Sequence, residues 1–156
     1  MKTNTIELYI HIPFCKSKCR YCDFCSFRAE EETIHAYLGK LKEELIFWGK
    51  KLAARDVVTV FIGGGTPSYL RREDIQMICE TIFEHFHICE DAEITIEANP
   101  GTVDLKKLCT YSLSVARFNL LRCVIIFSNN CPSKHIGLLS NSVLFIFRAS
   151  MFTSQL

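Results

Sequence analysis

The feature that most constrains this chain is a loop of closely spaced cysteines near its N-terminal end. Cys15, Cys19 and Cys22 form a C-x3-C-x2-C array inside the stretch Y-I-H-I-P-F-C-K-S-K-C-R-Y-C-D-F-C, residues 9–25. The apolar run just before the array ends at Pro13 and predicts a buried strand. Three thiols therefore follow a strand within one short loop, and this arrangement indicates a metal site.

The number and spacing of the thiols favour one kind of metal site over another. Thiolates are soft ligands that select zinc, copper(I) or iron–sulfur clusters. Zinc ribbons and fingers usually supply a second C-x2-C pair, or a His pair, a dozen or more residues away, and no such pair is well placed in this sequence. Three cysteines on one loop suit a cubane cluster whose fourth iron stays open for a ligand. Cys25, three residues further on, could instead be a fourth ligand in a closed site.

Strands and helices alternate over the first two thirds of the chain. Short apolar or β-branched runs predict strands at residues 8–12, 57–62 and 93–97. Apolar residues spaced by three and four predict amphipathic helices over residues 30–54 and 72–87. This order predicts an α/β fold with a parallel sheet.

The pattern weakens after the third strand. A third helix should begin within residues 103–112, and residues 115–118 would lead into a fourth strand. Residues 119–127 and 136–147 are apolar without a helical period, and each is too short to span a bilayer. They indicate exposed strands that are prone to aggregation.

Charge and cysteine content narrow the functional classes. The net charge of +1 gives no electrostatic case for nucleic acid or for an anionic membrane surface. Nine cysteines, an odd number, argue against a complete disulfide framework. Glu7 and His11 interrupt the stretch in which a secretory signal needs an unbroken apolar region. We therefore expect a cytoplasmic, reducing setting and no transmembrane segment.

With these residues in view, the sequence resembles the radical S-adenosylmethionine (SAM) superfamily, whose signature is C-x3-C-x2-C. The strings Y-I-H-I-P-F-C and Y-C-D-F resemble the branch that contains oxygen-independent coproporphyrinogen III oxidase and the haem chaperone HemW. The resemblance covers residues 6–118 and implies the first three βα units of a partial (β/α)6 TIM-like barrel. It also implies a [4Fe–4S] cluster on Cys15, Cys19 and Cys22, with SAM on the open iron. Because a fourth cysteine would block the iron that SAM needs, the resemblance predicts that Cys25 is not a ligand.

The resemblance further assigns the residues that contact SAM. The sequence G-G-G-T-P, residues 63–67, follows the second strand, where open α/β sheets bind ligands, and it is similar to the SAM-binding motif of the superfamily. A glutamate ends the third strand, where a carboxylate can accept hydrogen bonds from ribose hydroxyls. Two tyrosines match further contact positions. The predicted SAM contacts are Tyr9, Tyr21, Gly64, Gly65, Thr66 and Glu97.

The other cysteines and histidines receive no chemical role from the sequence. Cys79, Cys89 and Cys109 are expected to be small core residues rather than ligands. His11 lies in the motif strand, where it is equally well explained as a core histidine with satisfied hydrogen bonds.

Three functions fit this pattern. The first is a HemW-like protein that binds and delivers haem with the help of the cluster and SAM. The second is a coproporphyrinogen oxidase-type enzyme of porphyrin metabolism, whose branch has C-x-C after the third cysteine, whereas this chain has C-x2-C at Cys22 and Cys25. The third is an inactive remnant. The resemblance implies a haem or porphyrin ligand, and an electron donor such as flavodoxin or ferredoxin.

The end of the chain differs in composition from the rest. All 17 acidic residues lie in residues 1–104, and residues 105–156 have six Lys or Arg and no Asp or Glu. Reading degenerate codons for residues 119–127 one base later permits I-S-F-G-V-x-S-F, which resembles the family's continuation. We therefore expect a partial radical SAM core at residues 1–118 and an out-of-frame or divergent tail at residues 119–156.

Overall fold

The computed structural model describes residues 4–20, 22–116, 122–127 and 144–147, which form one sheet and three helices. The strands are β1 (Thr5–Ile12), β2 (Asp56–Gly64), β3 (His87–Ala98), β4 (Arg122–Phe127) and β5 (Leu144–Phe147). The helices are α1 (Glu31–Lys51), α2 (Arg72–His85) and α3 (Leu105–Ala116), and short 3-10 turns lie at Pro67–Tyr69 and Pro100–Thr102.

The sheet follows the chain order, β1-β2-β3-β4-β5. The first four strands are parallel, and β5 runs antiparallel to β4. Helices α1, α2 and α3 make the crossovers between consecutive parallel strands, as βαβ units require. The C-terminal ends of β1, β2 and β3 therefore lie at one edge of the sheet.

The alternation of side chains along each strand gives the sheet two different faces. On one face, isoleucines and valines such as Ile12, Val60 and Ile96 are buried in the same core as apolar residues of α1 and α2. On the other face lie Tyr9 of β1 and its register partner Phe61 of β2, and Tyr9 is 59% exposed. Among the described residues, the packed hydrophobic layer therefore lies on the first face.

The strand pairing is irregular at one end of the sheet and regular at the other. The register shifts between Ile6 and Glu7 in the β1–β2 pair, and between Val57 and Thr59 in the β2–β3 pair. Beyond these points the pairing runs without interruption toward the C-terminal strand ends, for example from Thr59 to Gly64 against β1. The shifts confine the irregularity to the N-terminal ends of the strands.

The predicted α/β fold with a parallel sheet is confirmed, with differences at the ends of elements. Strand β3 begins at His87 rather than at residue 93, because its first residues pair with the start of β2. Helix α1 ends at Lys51 and α2 at His85, each before its predicted end. Helix α3 continues through Ala116, so the fourth strand begins at residue 122 instead of following residues 115–118 directly.

The apolar segments near the C-terminus contribute strands to the sheet. Segments 119–127 and 136–147 contain β4 and β5, and β4 pairs with β3 over its whole length. The predicted boundary at residue 118 falls within residues 117–121, outside the described part of the chain. Among the described helices, none is both long and apolar enough to cross a membrane.

Candidate cluster and cofactor site

A cavity of about 730 Å³ lies at the edge where β1, β2 and β3 end. Its volume is within the ~300–1,000 Å³ typical of pockets for small ligands and cofactors. The three segments that follow these strands all contribute to its walls. The walls are formed by Cys15, Lys16, Ser17, Cys19, Cys22, Asp23, Phe24, Ser26, Gly64, Gly65, Thr66, Glu97, Ala98, Asn99, Gly101 and Thr102.

The cysteine loop, residues 13–27, is closed on itself by backbone hydrogen bonds. Phe27 N–H donates to Pro13 O at 2.8 Å, and Cys15 N–H donates to Phe27 O at 3.0 Å. Phe14, which is fully buried, packs edge-on against the rings of Phe27 and Tyr37. Hydrogen bonds and a buried aromatic anchor thus fix both ends of the loop, and the cysteines lie between them.

The three predicted ligands all face the cavity as free thiols. Cys15 is buried and Cys19 and Cys22 are half-buried. Across the described residues, no three His, Cys, Asp or Glu side chains converge closely enough to hold one metal ion. Three thiolates from one loop suit a cubane cluster, in which each thiolate binds a different iron. The donor set therefore fits a [4Fe–4S] cluster.

The glycine loop, residues 63–67, lies directly against the cysteine loop. Gly65 N–H donates to Ile12 O, and Thr66 N–H donates to Phe14 O, each at 2.8 Å. The Thr66 hydroxyl lies 3.5 Å from Cys15 Sγ. A side chain at Gly65 would collide with backbone atoms of Phe14, so the close approach of the two loops requires glycine at this position.

Glu97 is tied to the same loop. Its Oε2 accepts a hydrogen bond from Gly64 N–H at 3.0 Å, and Gly64 has a φ of +116°, a backbone conformation that favours glycine. The residue is half-buried and lines the cavity. The carboxylate therefore stabilises the turn and also supplies an acceptor at the cavity wall.

The sequence matches the family described as the radical SAM superfamily over residues 9–120. The chain belongs to the radical SAM superfamily. Membership implies a [4Fe–4S] cluster and SAM as cofactors, and the cysteine array at the cavity agrees with the cluster.

The chain is similar in sequence to haem chaperones named HemW. It is 41% identical over 125 residues to the haem chaperone HemW of Buchnera aphidicola, which covers 76% of this chain and 32% of that protein. It is also 41% identical over 112 residues to the HemW of Escherichia coli, covering 71% and 30% of the two chains. The chain thus spans about a third of the length of these relatives.

A solved structure of the superfamily shares the fold. The structure of coproporphyrinogen III oxidase (HemN) from Escherichia coli, titled as a radical SAM enzyme, matches with a TM-score of 0.68 and 30% identity. The match covers 78% of this chain and 27% of that one. The sheet described above is therefore similar to one part of a known radical SAM fold.

The two predicted tyrosine contacts differ from the other predicted residues. Tyr9 is not among the cavity walls; its hydroxyl lies 3.0 Å from Nδ1 of His11, and its ring stacks on Phe61. Burial, together with the nearby Glu97 carboxylate, raises the pKa of Tyr9. Tyr21 lies outside the described residues. That Tyr9 and Tyr21 contact SAM stays a prediction.

The other cysteines whose side chains the structure describes are either exposed or packed in the core. Cys25 is exposed and is not part of the cavity wall, and its role as a non-ligand stays a prediction. Cys79 is buried and Cys89 half-buried, as expected for core residues. The expectation was wrong for Cys109, which is exposed on α3.

One group of wall residues was not assigned from the sequence. Asn99, Gly101 and Thr102 line the cavity where β3 leads into the turn before α3. The turn is fastened by Ser68, whose hydroxyl accepts from Asn99 N–H at 2.9 Å and lies 2.6 Å from the Thr102 hydroxyl. Lys107 Nζ donates to the carbonyl oxygen atoms of Ser68 and Thr102. The Asn-Pro-Gly turn directly after a parallel strand was the signal available in the sequence.

Proposed function

We propose that this chain forms the cluster-binding part of a HemW-like radical SAM protein. In this proposal, Cys15, Cys19 and Cys22 ligate three irons of a [4Fe–4S] cluster, and the fourth iron is left for SAM. The observation that supports the proposal most directly is that the three cysteines, the glycine loop and Glu97 border one cavity.

The chain's own groups divide the binding of SAM between them. The backbone of Gly64, Gly65 and Thr66 would hold the amino and carboxylate end, because glycines let a polar ligand approach N–H and C=O groups closely. Glu97 would accept hydrogen bonds from the ribose, and Tyr9 and Tyr21 would complete the site. When bound, the cluster and SAM would supply one-electron cleavage chemistry, while the protein orients them and excludes water.

The proposed physiological role is the binding and delivery of haem. It is supported by 41% identity to two HemW proteins, and by the C-x2-C spacing of Cys22 and Cys25. An electron donor such as flavodoxin or ferredoxin and a cytoplasmic location belong to the same proposal, as does the division of the chain at residue 118.

The likeness to coproporphyrinogen III oxidase supports a second candidate, an oxidative decarboxylase of a porphyrin precursor. Two assays distinguish the candidates. A haem titration followed by absorbance should give a saturable Soret change if the chain handles haem. Anaerobic incubation with coproporphyrinogen III, SAM and a reductant should give a decarboxylated product only if the oxidase function holds.

Cluster binding is tested by anaerobic reconstitution followed by electron paramagnetic resonance of the reduced protein. We expect a cubane signal that changes when SAM is added. The variant Cys19→Ser should lose most of the iron and the signal, because one of three thiolates is missing. The matched variant Cys25→Ser should keep both, since Cys25 is exposed and is not part of the cavity wall.

Two outcomes would contradict this proposal. Equal loss of cluster in Cys19→Ser and Cys25→Ser would mean that Cys25 is a ligand and that the site is closed. A cluster signal that is indifferent to SAM would mean that the cavity does not bind the cofactor.

A further inference from the structure

The imidazole of His11 contacts both the cysteine loop and the glycine loop. His11 Nδ1 lies 3.0 Å from the Tyr9 hydroxyl on β1, and His11 Nε2 lies 3.0 Å from the carbonyl oxygen of Cys25 in the cysteine loop. A Cβ added at Gly64 would lie 2.7 Å from Cε1 and from Nδ1 of the ring, so the glycine loop packs directly on the imidazole. The backbone carbonyl of His11 in turn accepts a hydrogen bond from Tyr37 of α1 at 2.6 Å.

The hydrogen-bond partners of the two ring nitrogens determine which nitrogen carries the proton in the neutral His11 ring. A backbone carbonyl has no proton to give, so Nε2 must donate to Cys25 O. In a neutral imidazole, Nδ1 is then an acceptor, and the Tyr9 hydroxyl must donate to it. The phenolic proton of Tyr9 is therefore directed away from any ligand, and its oxygen can only accept.

The surroundings of Tyr9 agree with an acceptor role. The residue is 59% exposed and lies on the face of the sheet opposite the packed core. Burial and, to a smaller extent, the charge of the Glu97 carboxylate raise the pKa of Tyr9. Gly64 donates to Glu97 and packs on the His11 ring, so it links the carboxylate to the Tyr9–His11 pair. The carboxylate and the phenol oxygen are both acceptors that suit the amino or hydroxyl groups of a ligand.

We infer that His11 is a positioning residue, which holds the cysteine loop against the glycine loop and directs the Tyr9 oxygen as a hydrogen-bond acceptor toward SAM. This inference rests on the proposed function for the identity of the ligand. The proton arrangement itself depends only on the chain.

The proton arrangement is tested first, in the full chain without cluster. A long-range 1H–15N correlation spectrum at about pH 8 should show the His11 ring protonated at Nε2 alone, and Tyr9→Phe should shift the Nδ1 resonance. His87→Gln is the matched control, because His87 pairs with Asp56 at the opposite end of the strands. A ring protonated at Nδ1, or at both nitrogens, would overturn the inference whether or not the chain binds SAM.

The effect on SAM is tested on the reconstituted chain. His11→Gln keeps an amide donor for Cys25 O but cannot orient Tyr9, so iron content should be unchanged while SAM binding weakens by about fivefold to tenfold, as expected for one lost hydrogen bond. Tyr9→Phe should weaken binding equally, and the double variant should be no worse than either, because the two residues act as one unit. His87→Gln should bind SAM like the unaltered chain.

The outcomes separate the inference from the proposed function. If the unaltered chain loads a cluster but does not bind SAM, the proposed function fails. The NMR measurement of the His11 tautomer still tests the proton arrangement in that case. If the chain binds SAM and His11→Gln binds it equally well, or if the effects of the two single variants add, the positioning role is refuted.

Discussion

Replacing Gly65 by alanine should separate the two loops of the site. A methyl group there would lie 2.7 Å from the carbonyl oxygen of Phe14 and 3.0 Å from Cys15 Sγ. The first contact is with backbone, which cannot rotate away, and the cysteine loop is held at both ends. The loop must therefore move as a whole, and the ligand Cys15 must move with it.

The expected loss in the free energy of unfolding has two contributions. Overpacking at a tight contact costs ~1–3 kcal/mol. The same Phe14 oxygen accepts the Thr66 N–H, and weakening that hydrogen bond adds ~0.5–1.5 kcal/mol. We expect Gly65→Ala to lower the free energy of unfolding by about 1.5–4.5 kcal/mol, a large part of the ~5–15 kcal/mol of a typical domain.

The control is the same substitution where there is space. Gly39 is exposed within α1 and has no atom within 4 Å of an added Cβ, so Gly39→Ala should raise the free energy of unfolding by ~0.5–1 kcal/mol through helix propensity. Urea denaturation can be followed by circular dichroism and by the fluorescence of Trp48, the single tryptophan. Iron content after reconstitution should fall in Gly65→Ala alone. Similar stability and iron content in both variants would refute the close contact of the loops.

Two further substitutions test buried polar groups outside the cysteine loop. Tyr111 is buried, its hydroxyl has no hydrogen-bond partner among the described residues, and burial raises its pKa. As the pH rises, the Tyr111 phenol therefore loses its proton in the unfolded chain before it does so in the folded chain. This ionisation favours the unfolded chain, so the free energy of unfolding should fall as the pH rises above about 10. Tyr111→Phe should stabilise the chain by ~1 kcal/mol and reduce that alkaline loss in denaturation curves at pH 8 and 10.5, and an unchanged pH dependence would contradict this assignment. Ser68→Ala should lower the free energy of unfolding by about 1–2 kcal/mol, because Asn99 N–H loses its acceptor. The control is Ser17→Ala, at an exposed position. Equal urea midpoints for the two variants would show that the Ser68–Asn99 hydrogen bond contributes nothing to stability.

The sequence predicted those parts of the fold that depend on local pattern. Apolar runs and helical spacing found β1, β2, α1 and α2 to within a few residues. The start of β3 was missed because residues 87–92 include polar residues, and only pairing with β2 makes their first two residues part of a strand. Such pairing depends on contacts that are distant in sequence, which no local pattern reports.

The site was predictable where chemistry requires a particular residue type. Cys15, Cys19 and Cys22 have a spacing that few other structures need, and the glycine loop is placed by its position after a parallel strand. The bridge made by His11 was not visible, because it depends on where the carbonyl oxygen of Cys25 lies after the loop has closed. The roles of these residues in binding stay predictions until the cofactors are measured.

The two register shifts divide the sheet into halves with different tolerance of change. Both lie at the N-terminal strand ends, near Asp56 and His87, where β2 and β3 already accommodate extra residues. We expect insertions or fused segments in the short connection between α1 and β2 to leave the pairing of the strands near the cavity unchanged. One residue added between Thr59 and Gly64 would instead turn successive side chains to the opposite face and move the glycine loop relative to Cys15. This part of the chain can therefore vary in length only at the end of the sheet remote from the cavity.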